Sequence, residues 1–203
     1  SLANSDAADN TIVVLWSDHG FHLGEKLRWA KRTLWEETTR VPLIFAGPGI
    51  ATDQLCPRPV GLIDVFPTLL DLASLPPRAD LEGKSLQPLL KNPKAKWNRP
   101  TICTFGPNNH SLRGERYRYT RYADGSEELY DHMNDPNEWN NLLAIKEPGV
   151  EHRQVADRLK HWLPTYNADP VAGSAGSDSP IYGEGKISLS EAMKRGDAKR
   201  KAK

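Results

Sequence analysis

A carboxylate and an imidazole stand next to each other just after an apolar run in this chain. The run covers residues 11–16, and Asp18, His19 and Gly20 follow it closely. An ionised Asp offers oxygen and a neutral His offers a ring nitrogen, so the adjacent pair can supply two ligands to one metal ion. The alternative is an ordinary turn in which Asp18 caps the next segment. The pair is therefore a candidate metal site.

The apolar run determines where this pair would lie. Residues 11–16 predict a strand buried on both faces, as in a parallel sheet that is covered by helices. Ligands of open α/β sheets bind beyond the carboxyl ends of the strands. We therefore expect Asp18 and His19 at such an end, on a tight turn that Gly20 permits.

Periodicity, proline and glycine define the other elements. The predicted helices are 33–38, 64–74 and 150–163. The further predicted strands are 41–46 and 101–105, and residues 111–122 and 127–131 are predicted to form a meander of strands. Pro42 is placed at the start of its strand because proline cannot donate to a sheet ladder, and Pro164 is expected to end the last helix. Asp124 and Gly125 predict a hairpin turn. These elements predict an α/β fold with a small antiparallel subdomain at its C-terminal end.

A series of short motifs recurs in order along the first part of the chain. The motifs are S-D-H-G (17–20), L-G-E (23–25), W-x-K (29–31), T-L-W-E-E (33–37), R-V-P-L-I (40–44) and G-P-G (47–49). This order resembles the sulfatase family of the alkaline phosphatase superfamily, and it is specific because several unrelated residue types recur in it. Within the family, the chain looks most like the branch of iduronate-2-sulfatase and its bacterial relatives, in which His follows the metal-binding Asp.

The resemblance continues through most of the chain. The further matching segments are 61–73, 81–90, 109–113, 117–122, 128–132 and 135–142. It implies the C-terminal portion of a sulfatase, with a partial alkaline-phosphatase-like sheet and helices. We place the C-terminal part of the α/β domain, with the metal-binding loop, in 1–100, the small α+β subdomain in 101–166, and a flexible basic tail in 167–203.

The resemblance also implies roles for individual residues. Asp18 and His19 would be two ligands of a divalent metal, which is calcium in the family; magnesium and manganese stay open because His is a less natural ligand for calcium. Lys31 of W-x-K would contact the sulfate in catalysis, as a compact charge on a flexible stem, and would otherwise be a solvated lysine. His22 and His110 are candidate substrate contacts. Their alternatives are packing beside the turn and a satisfied loop histidine.

The family nucleophile is not found at its expected place. It is a Cys or Ser in a C/S-x-P-x-R motif ahead of the S-D-H-G strand, where this chain has only residues 1–10. The segment 74–78 fits S-x-P-x-R in its letters. It lies downstream of the metal strand, however, and its two prolines are a plain helix stop. We therefore expect this chain to be inactive alone and to need the missing N-terminal sulfatase portion as its partner.

The resemblance implies a sulfuric ester hydrolase that acts on a sulfated carbohydrate or another sulfate ester. Two alternatives stay open. One is a phosphoryl hydrolase of the same superfamily, whose zinc sites also use Asp-His-Gly, and the other is a non-catalytic remnant or binding module. The net charge of +1 gives no global signal for nucleic acid, and no apolar run approaches the length of a membrane span. The family suggests a periplasmic, secreted or lysosomal location, which this chain alone does not reveal.

Several other side chains carry simpler interpretations. Cys56 and Cys103 allow one disulfide at most, and unpaired thiols are the alternative. Glu36 and Glu37 are interpreted as helix-surface and capping charges. Three tryptophans are expected to pack in the core or a lid, namely Trp29, Trp35 and Trp139. Four arginines are expected to line either an anionic cleft or a solvated strand face, namely Arg113, Arg116, Arg118 and Arg121. The basic tail is interpreted as a solvated, disordered end, with binding to an anionic partner as the alternative.

Overall fold

The computed structural model of the chain describes residues 2–144 and 149–168. Its strands are β1 (Val13–Trp16), β2 (His22–Leu23), β3 (Trp29–Ala30), β4 (Leu43–Ala46), β5 (Thr101–Thr104), β6 (His110–Arg113), β7 (Tyr117–Arg121) and β8 (Glu127–Asp131). Its α-helices are α1 (Glu36–Thr39), α2 (Val65–Leu72), α3 (Gln87–Lys91) and α4 (Val150–Lys160). Helices and antiparallel strands thus occur together, as the predicted fold class requires.

The described residues divide into two compact units. Residues up to Asp18 and Val41–Thr101 form the first unit, whereas His19–Arg40 and the chain from Ile102 onward form the second. The segment 19–40, which we placed in the first predicted domain, thus clusters with the C-terminal part. The predicted tail lies outside the described residues except for Asn167 and Ala168.

The first unit contains a two-stranded ribbon. Strand β1 pairs with β4 in antiparallel register, with Val13 opposite Ala46 and Trp16 opposite Leu43. The expectation of a parallel sheet is wrong for this pair, and so is the expectation of burial on both faces, because Val13, Leu15 and Trp16 are all about half exposed. A continuous apolar run does not reveal the direction of its partner strand. Two strands also cannot cover each other's faces, so the apolar side chains remain accessible.

Helix α2 is held by buried polar contacts at its N-terminal end. Asp64, at the end of the 3₁₀ turn Leu62–Asp64, accepts hydrogen bonds from the backbone N–H groups of Gly61 at 3.0 Å and Lys84 at 2.8 Å. The Thr68 hydroxyl accepts another from the backbone N–H of Leu86 at 2.9 Å. The predicted helix 64–74 is confirmed apart from its last residues, because Ser74 has already left the helix with φ +54°.

The second unit is built on a four-stranded sheet with the order β5-β6-β7-β8. The pairs β6–β7 and β7–β8 are antiparallel, and Gly125 turns the β7–β8 hairpin with φ +83°, which confirms the predicted turn. Leu112, Tyr119 and Leu129 form the core together with two side chains of α4, Val155 and Ala156. The predicted small antiparallel subdomain is therefore present.

Helix α4 is shorter than predicted. It ends at Lys160, several residues before Pro164, because the chain continues in single turns in which Trp162 and Leu163 donate to the carbonyls of Leu159 and Lys160. Across the described parts of the chain, no helix is long and apolar enough to span a membrane. Cys56 and Cys103 are not joined in a disulfide.

Candidate functional site

The Asp-His pair lies on the surface of the chain. Asp18 is the last residue of the first unit's N-terminal segment, His19 begins the second unit, and both side chains are exposed. One oxygen donor and one nitrogen donor fit part of a divalent-metal ligand set. Metal ligation by this pair stays a prediction, since ligation depends on donors that these residues alone do not supply.

Glycine is required at position 20 for a different reason from the predicted one. Gly20 does not have a left-handed φ. Its backbone N–H donates to the Thr38 carbonyl at 3.0 Å, and a Cβ atom added there would lie 2.1 Å from the Glu37 carbonyl oxygen. The glycine thus allows the backbone at residue 20 to approach helix α1 closely.

His22 is buried completely. Its Nε2 lies 2.7 Å from the Thr33 hydroxyl oxygen, and its ring meets the edge of Trp35 with centroids 5.9 Å apart. Burial lowers the pKa of this imidazole, which favours its neutral form. These contacts favour the packing alternative, and a substrate contact by His22 stays a prediction.

A chain of hydroxyl groups continues from His22. The Thr38 hydroxyl lies within 3.1 Å of the carbonyl oxygens of Thr33 and Trp35, and 2.7 Å from the Thr33 hydroxyl. The other ring nitrogen, Nδ1, is buried without a hydrogen bond from the described residues and lies 3.9 Å from the Glu25 carboxylate.

His110 opens strand β6 and is also buried. Its Nε2 lies 2.7 Å from the Asn167 amide oxygen, and its Nδ1 lies 2.9 Å from the Thr104 hydroxyl. Burial lowers the pKa of this imidazole as well. With both ring nitrogens engaged, the satisfied loop histidine is the favoured alternative, and a role in substrate binding stays a prediction.

Lys31 follows the short hairpin of β2 and β3, and its side chain is exposed. The tryptophans near it differ in their surroundings. Trp35 is fully buried, and its indole N–H donates to the Glu128 carboxylate at 2.9 Å, whereas Trp29 is 73% exposed and Trp139 is 56% exposed. The expected core packing is therefore confirmed for Trp35, while the other two indoles remain available to a ligand or partner.

A buried charge cluster in the second unit was not predicted from the sequence. Arg118 of strand β7 donates to the carboxylates of Glu36 and Glu138, and its side chain is only 2% exposed. Glu36 also lies 3.5 Å from the Arg113 guanidinium, and Glu138 lies 2.7 Å from His132 Nε2. Both expectations for Arg118, cleft lining and a solvated face, are wrong, and so is the surface role for Glu36. The reason is that each charge meets an opposite charge inside the fold.

The cluster keeps Glu138 ionised although the residue is fully buried. Burial alone would raise the pKa of this carboxyl, but the Arg118 charge, a hydrogen bond from His132 and the backbone N–H of Glu36 together lower it to about 2. The same carboxylates raise the pKa of the Arg118 guanidinium against the opposite effect of its burial. Both partners are therefore charged over the whole range in which proteins normally work.

Three side chains of this cluster have the donor types of a metal site. The ligand atoms of Glu36, His132 and Glu138 lie within 4.8 Å of one another, the one such group in the described ranges. The guanidinium of Arg118 is already bonded to both carboxylates, however, and it supplies the positive charge that a metal would bring. The donor set therefore fits an arginine-centred ion cluster, and no metal chemistry follows from it.

An aromatic cage surrounds Lys26 beside this cluster. Its ammonium lies 4.6 Å from the Trp35 ring centre, 4.7 Å from that of Tyr130 and 5.8 Å from that of Trp139. The same ammonium donates to the backbone carbonyl of Glu138. Burial lowers the pKa of Lys26, so the ring faces and the carbonyl replace part of the hydration that the cation loses.

Comparisons with known proteins agree on one family. Residues 24–168 match the family model described as N-sulphoglucosamine sulphohydrolase, C-terminal. A protein of Formosa agariphila named sulfatase is 39% identical over 198 residues, covering 96% of this chain and 38% of that protein. The delta 4,5-hexuronate-2-O-sulfatase of Bacteroides thetaiotaomicron is 37% identical over 177 residues, covering 77% of this chain and 36% of that protein.

Solved structures extend the comparison to the fold. A 2-O GAG sulfatase matches with TM-score 0.65 and 32% identity, over 82% of this chain and 40% of that one. A phosphonate monoester hydrolase of Agrobacterium radiobacter matches with TM-score 0.67 and 26% identity, over 79% of this chain and 36% of that one. The chain spans less than half the length of each of these proteins.

Proposed function

Because this chain belongs to the sulfatase family, we propose that it is the C-terminal portion of an enzyme that hydrolyses sulfate esters of sugars. The observation that carries the proposal is the family match over residues 24–168. The likeness to a hexuronate-2-O-sulfatase supports sulfated uronate sugars as the substrate class that we propose. This proposal agrees with the resemblance, carried by the S-D-H-G motif, of the chain to the iduronate-2-sulfatase branch of the family.

In this proposal Asp18 and His19 hold a divalent metal, and Lys31 contacts the sulfate. A metal held there would act as a Lewis acid on the sulfate oxygens. The exposure of Asp18, His19 and Lys31 supports the proposal, because each group is accessible to a ligand or a substrate. The ammonium of Lys31 would balance the charge that the sulfate group carries.

We further propose that the chain acts only together with an N-terminal sulfatase portion. That portion would supply the nucleophile and further metal ligands. The exposed apolar side chains of the β1–β4 ribbon support this proposal. Val13, Leu15 and Ile44 lie on one face and Trp16 on the other, and all four are about half exposed. Exposed apolar patches of this kind mark surfaces that another element covers.

The test is sulfate release from an unsaturated 2-O-sulfated uronate disaccharide. We expect none from this chain alone, and turnover when an N-terminal sulfatase portion is added. Lys31→Met should lower that turnover by about 100-fold, whereas Lys91→Met, a lysine of helix α3, should leave it unchanged. Turnover by the chain alone that Asp18→Ala abolishes would overturn the requirement for a second portion.

The phosphonate monoester hydrolase neighbour favours a second candidate function. Its TM-score of 0.67 shows that the same fold serves phosphorus esters. The two candidates differ in the central atom of the transferred group, which is sulfur in one and phosphorus in the other. The same reconstituted protein should therefore be assayed with a sulfate ester and a phosphonate monoester. A higher kcat/KM for the phosphonate would favour the second candidate over the first.

A further inference from the structure

The loop that carries Lys31 is attached at both ends to one residue. Lys26 precedes Lys31 by five positions and Glu36 follows it by five. The Lys26 ammonium donates to the backbone carbonyl of Glu138, and the backbone N–H of Glu36 donates to Oε2 of Glu138 at 2.9 Å. Glu138 therefore contacts both flanks of the segment 26–36.

Glu138 is itself held firmly. Its side chain is fully buried, and its other carboxylate oxygen accepts hydrogen bonds from Arg118 and from His132. Arg118 lies in the middle of the sheet on strand β7, where it also donates to the Ser111 hydroxyl at 2.9 Å. Glu138 itself lies in the turn after strand β8, with φ +57°, and its carboxylate is bonded to the sheet through Arg118.

The backbone of the loop needs such attachment. Lys26, Leu27 and Arg32 have φ values of 50°, 58° and 69°, in the left-handed region that side chains other than glycine rarely adopt. Unfavourable conformations of this kind persist where the surrounding contacts fix them. The Thr33 hydroxyl adds a contact to His22, but that contact lies within the segment 19–40 and does not tie it to the sheet.

We propose that Glu138 is a positioning residue that sets the place of Lys31 by holding both flanks of its loop. This inference rests on the proposed function in one respect, namely that Lys31 contacts the sulfate. Glu138 itself is buried and bonded within the fold, so its effect on a reaction passes through the loop. The aromatic cage strengthens the first attachment, because the rings of Trp35 and Tyr130 face the Lys26 ammonium.

Two variants of the full chain each release one attachment. Glu138→Gln removes the charge that holds the Glu36 N–H, and Lys26→Met removes the donor to the Glu138 carbonyl while keeping a side chain of similar length. Hydrogen exchange is then followed amide by amide. We expect about ten-fold or faster exchange at residues 34–37 in Glu138→Gln and at residues 25–30 in Lys26→Met, with faster exchange at Lys31 and Arg32 in both.

Matched controls separate positioning from general loosening. Glu127→Gln changes a carboxylate of the same sheet whose contacts are Tyr119, Arg153 and Lys160, and it should leave exchange in 26–36 unchanged. Lys26→Arg keeps a cation that can stack on the rings and donate to the carbonyl, so it should restore the slow exchange that Lys26→Met loses. Lys26→Met also leaves the buried ion pair intact, so it tests the proposal even where Glu138→Gln does not fold.

The proposal is overturned if both variants leave exchange at residues 26–36 as in the unaltered chain, or if exchange rises equally over strands β6, β7 and β8. Hydrogen exchange needs no sulfate ester, so this result does not depend on the proposed function. The reconstituted enzyme could show no turnover although exchange in 26–36 rises as expected. That result would support Glu138 as a positioning residue and refute the role of Lys31 in sulfate hydrolysis.

Discussion

Replacing Arg118 by methionine should lower the stability of the second unit more than replacing an exposed arginine does. The variant keeps most of the side-chain volume but leaves the carboxylates of Glu36 and Glu138 without their shared cation. Glu138 is fully buried and Arg118 is 2% exposed. Removing one partner of a buried ion pair costs about 3–5 kcal/mol, because the remaining charge stays buried.

Arg116→Met is the matched control for this prediction. Arg116 pairs with Asp131 at 2.6 Å, but its side chain is 44% exposed, and exposed pairs contribute about 1 kcal/mol or less. The chain has two units, so a single unfolding midpoint is not informative. Native-state hydrogen exchange of the β7 and β8 amides measures the opening free energy of the second unit directly.

A double variant sharpens the test. Arg118→Met leaves the buried charge of Glu138 unpaired, and adding Glu138→Gln removes that charge. The double variant should therefore lose less stability than the sum of the two single variants. The reasoning is refuted if Arg118→Met costs no more than Arg116→Met, or if the two changes at Arg118 and Glu138 are additive.

Further predictions concern pH, backbone packing and metal binding. The folded pKa of Glu138, about 2, lies below the ordinary 4.5, so stability of the second unit should be full above pH 4.5 and fall by about 3 kcal/mol as the pH drops towards 2. Opening free energies from hydrogen exchange of the β7 and β8 amides that show no such loss, or the same loss in Glu138→Gln, contradict this. Gly20→Ala should destabilise the second unit by about 2 kcal/mol or more because of the clash with the Glu37 carbonyl, whereas Gly114→Ala, with ordinary contacts at 3.4 Å, should change exchange little. The isolated chain should bind calcium weakly, with only part of a ligand set, and tight binding by calorimetry would contradict this.

The hairpin of the second unit was predictable because its signals are local. Asp124 and Gly125 sit between the two strand runs. In the three-residue loop closed by Tyr122 and Ser126, Gly125 with φ +83° fixes the register of the strands. The observed pairing of Tyr119 with Leu129 follows from that turn. Helix α2 was predictable for the same reason, from apolar spacing and a proline in its first turn.

The buried cluster was not predictable because its partners are distant in sequence. Arg118 meets Glu36 across 82 residues and Glu138 across 20, and an arginine between tyrosines on a strand has the same sequence pattern whether it faces solvent or a buried carboxylate. The antiparallel pairing of β1 could not be predicted either, since an apolar run does not indicate whether its partner strand runs parallel or antiparallel to it. The residue types of S-D-H-G are visible in the sequence, but ligation depends on groups that this motif does not contain.

Sulfate release by the reconstituted protein tests the central claim most directly. The chain, combined with an N-terminal sulfatase portion and a divalent metal, is assayed on the 2-O-sulfated uronate disaccharide by ion chromatography, with Asp18→Ala and His19→Ala beside it. We predict turnover that falls by about 100-fold or more in both variants. Turnover that both variants leave unchanged would contradict the assignment of Asp18 and His19, and the absence of sulfate release under every metal tried would contradict the proposed function.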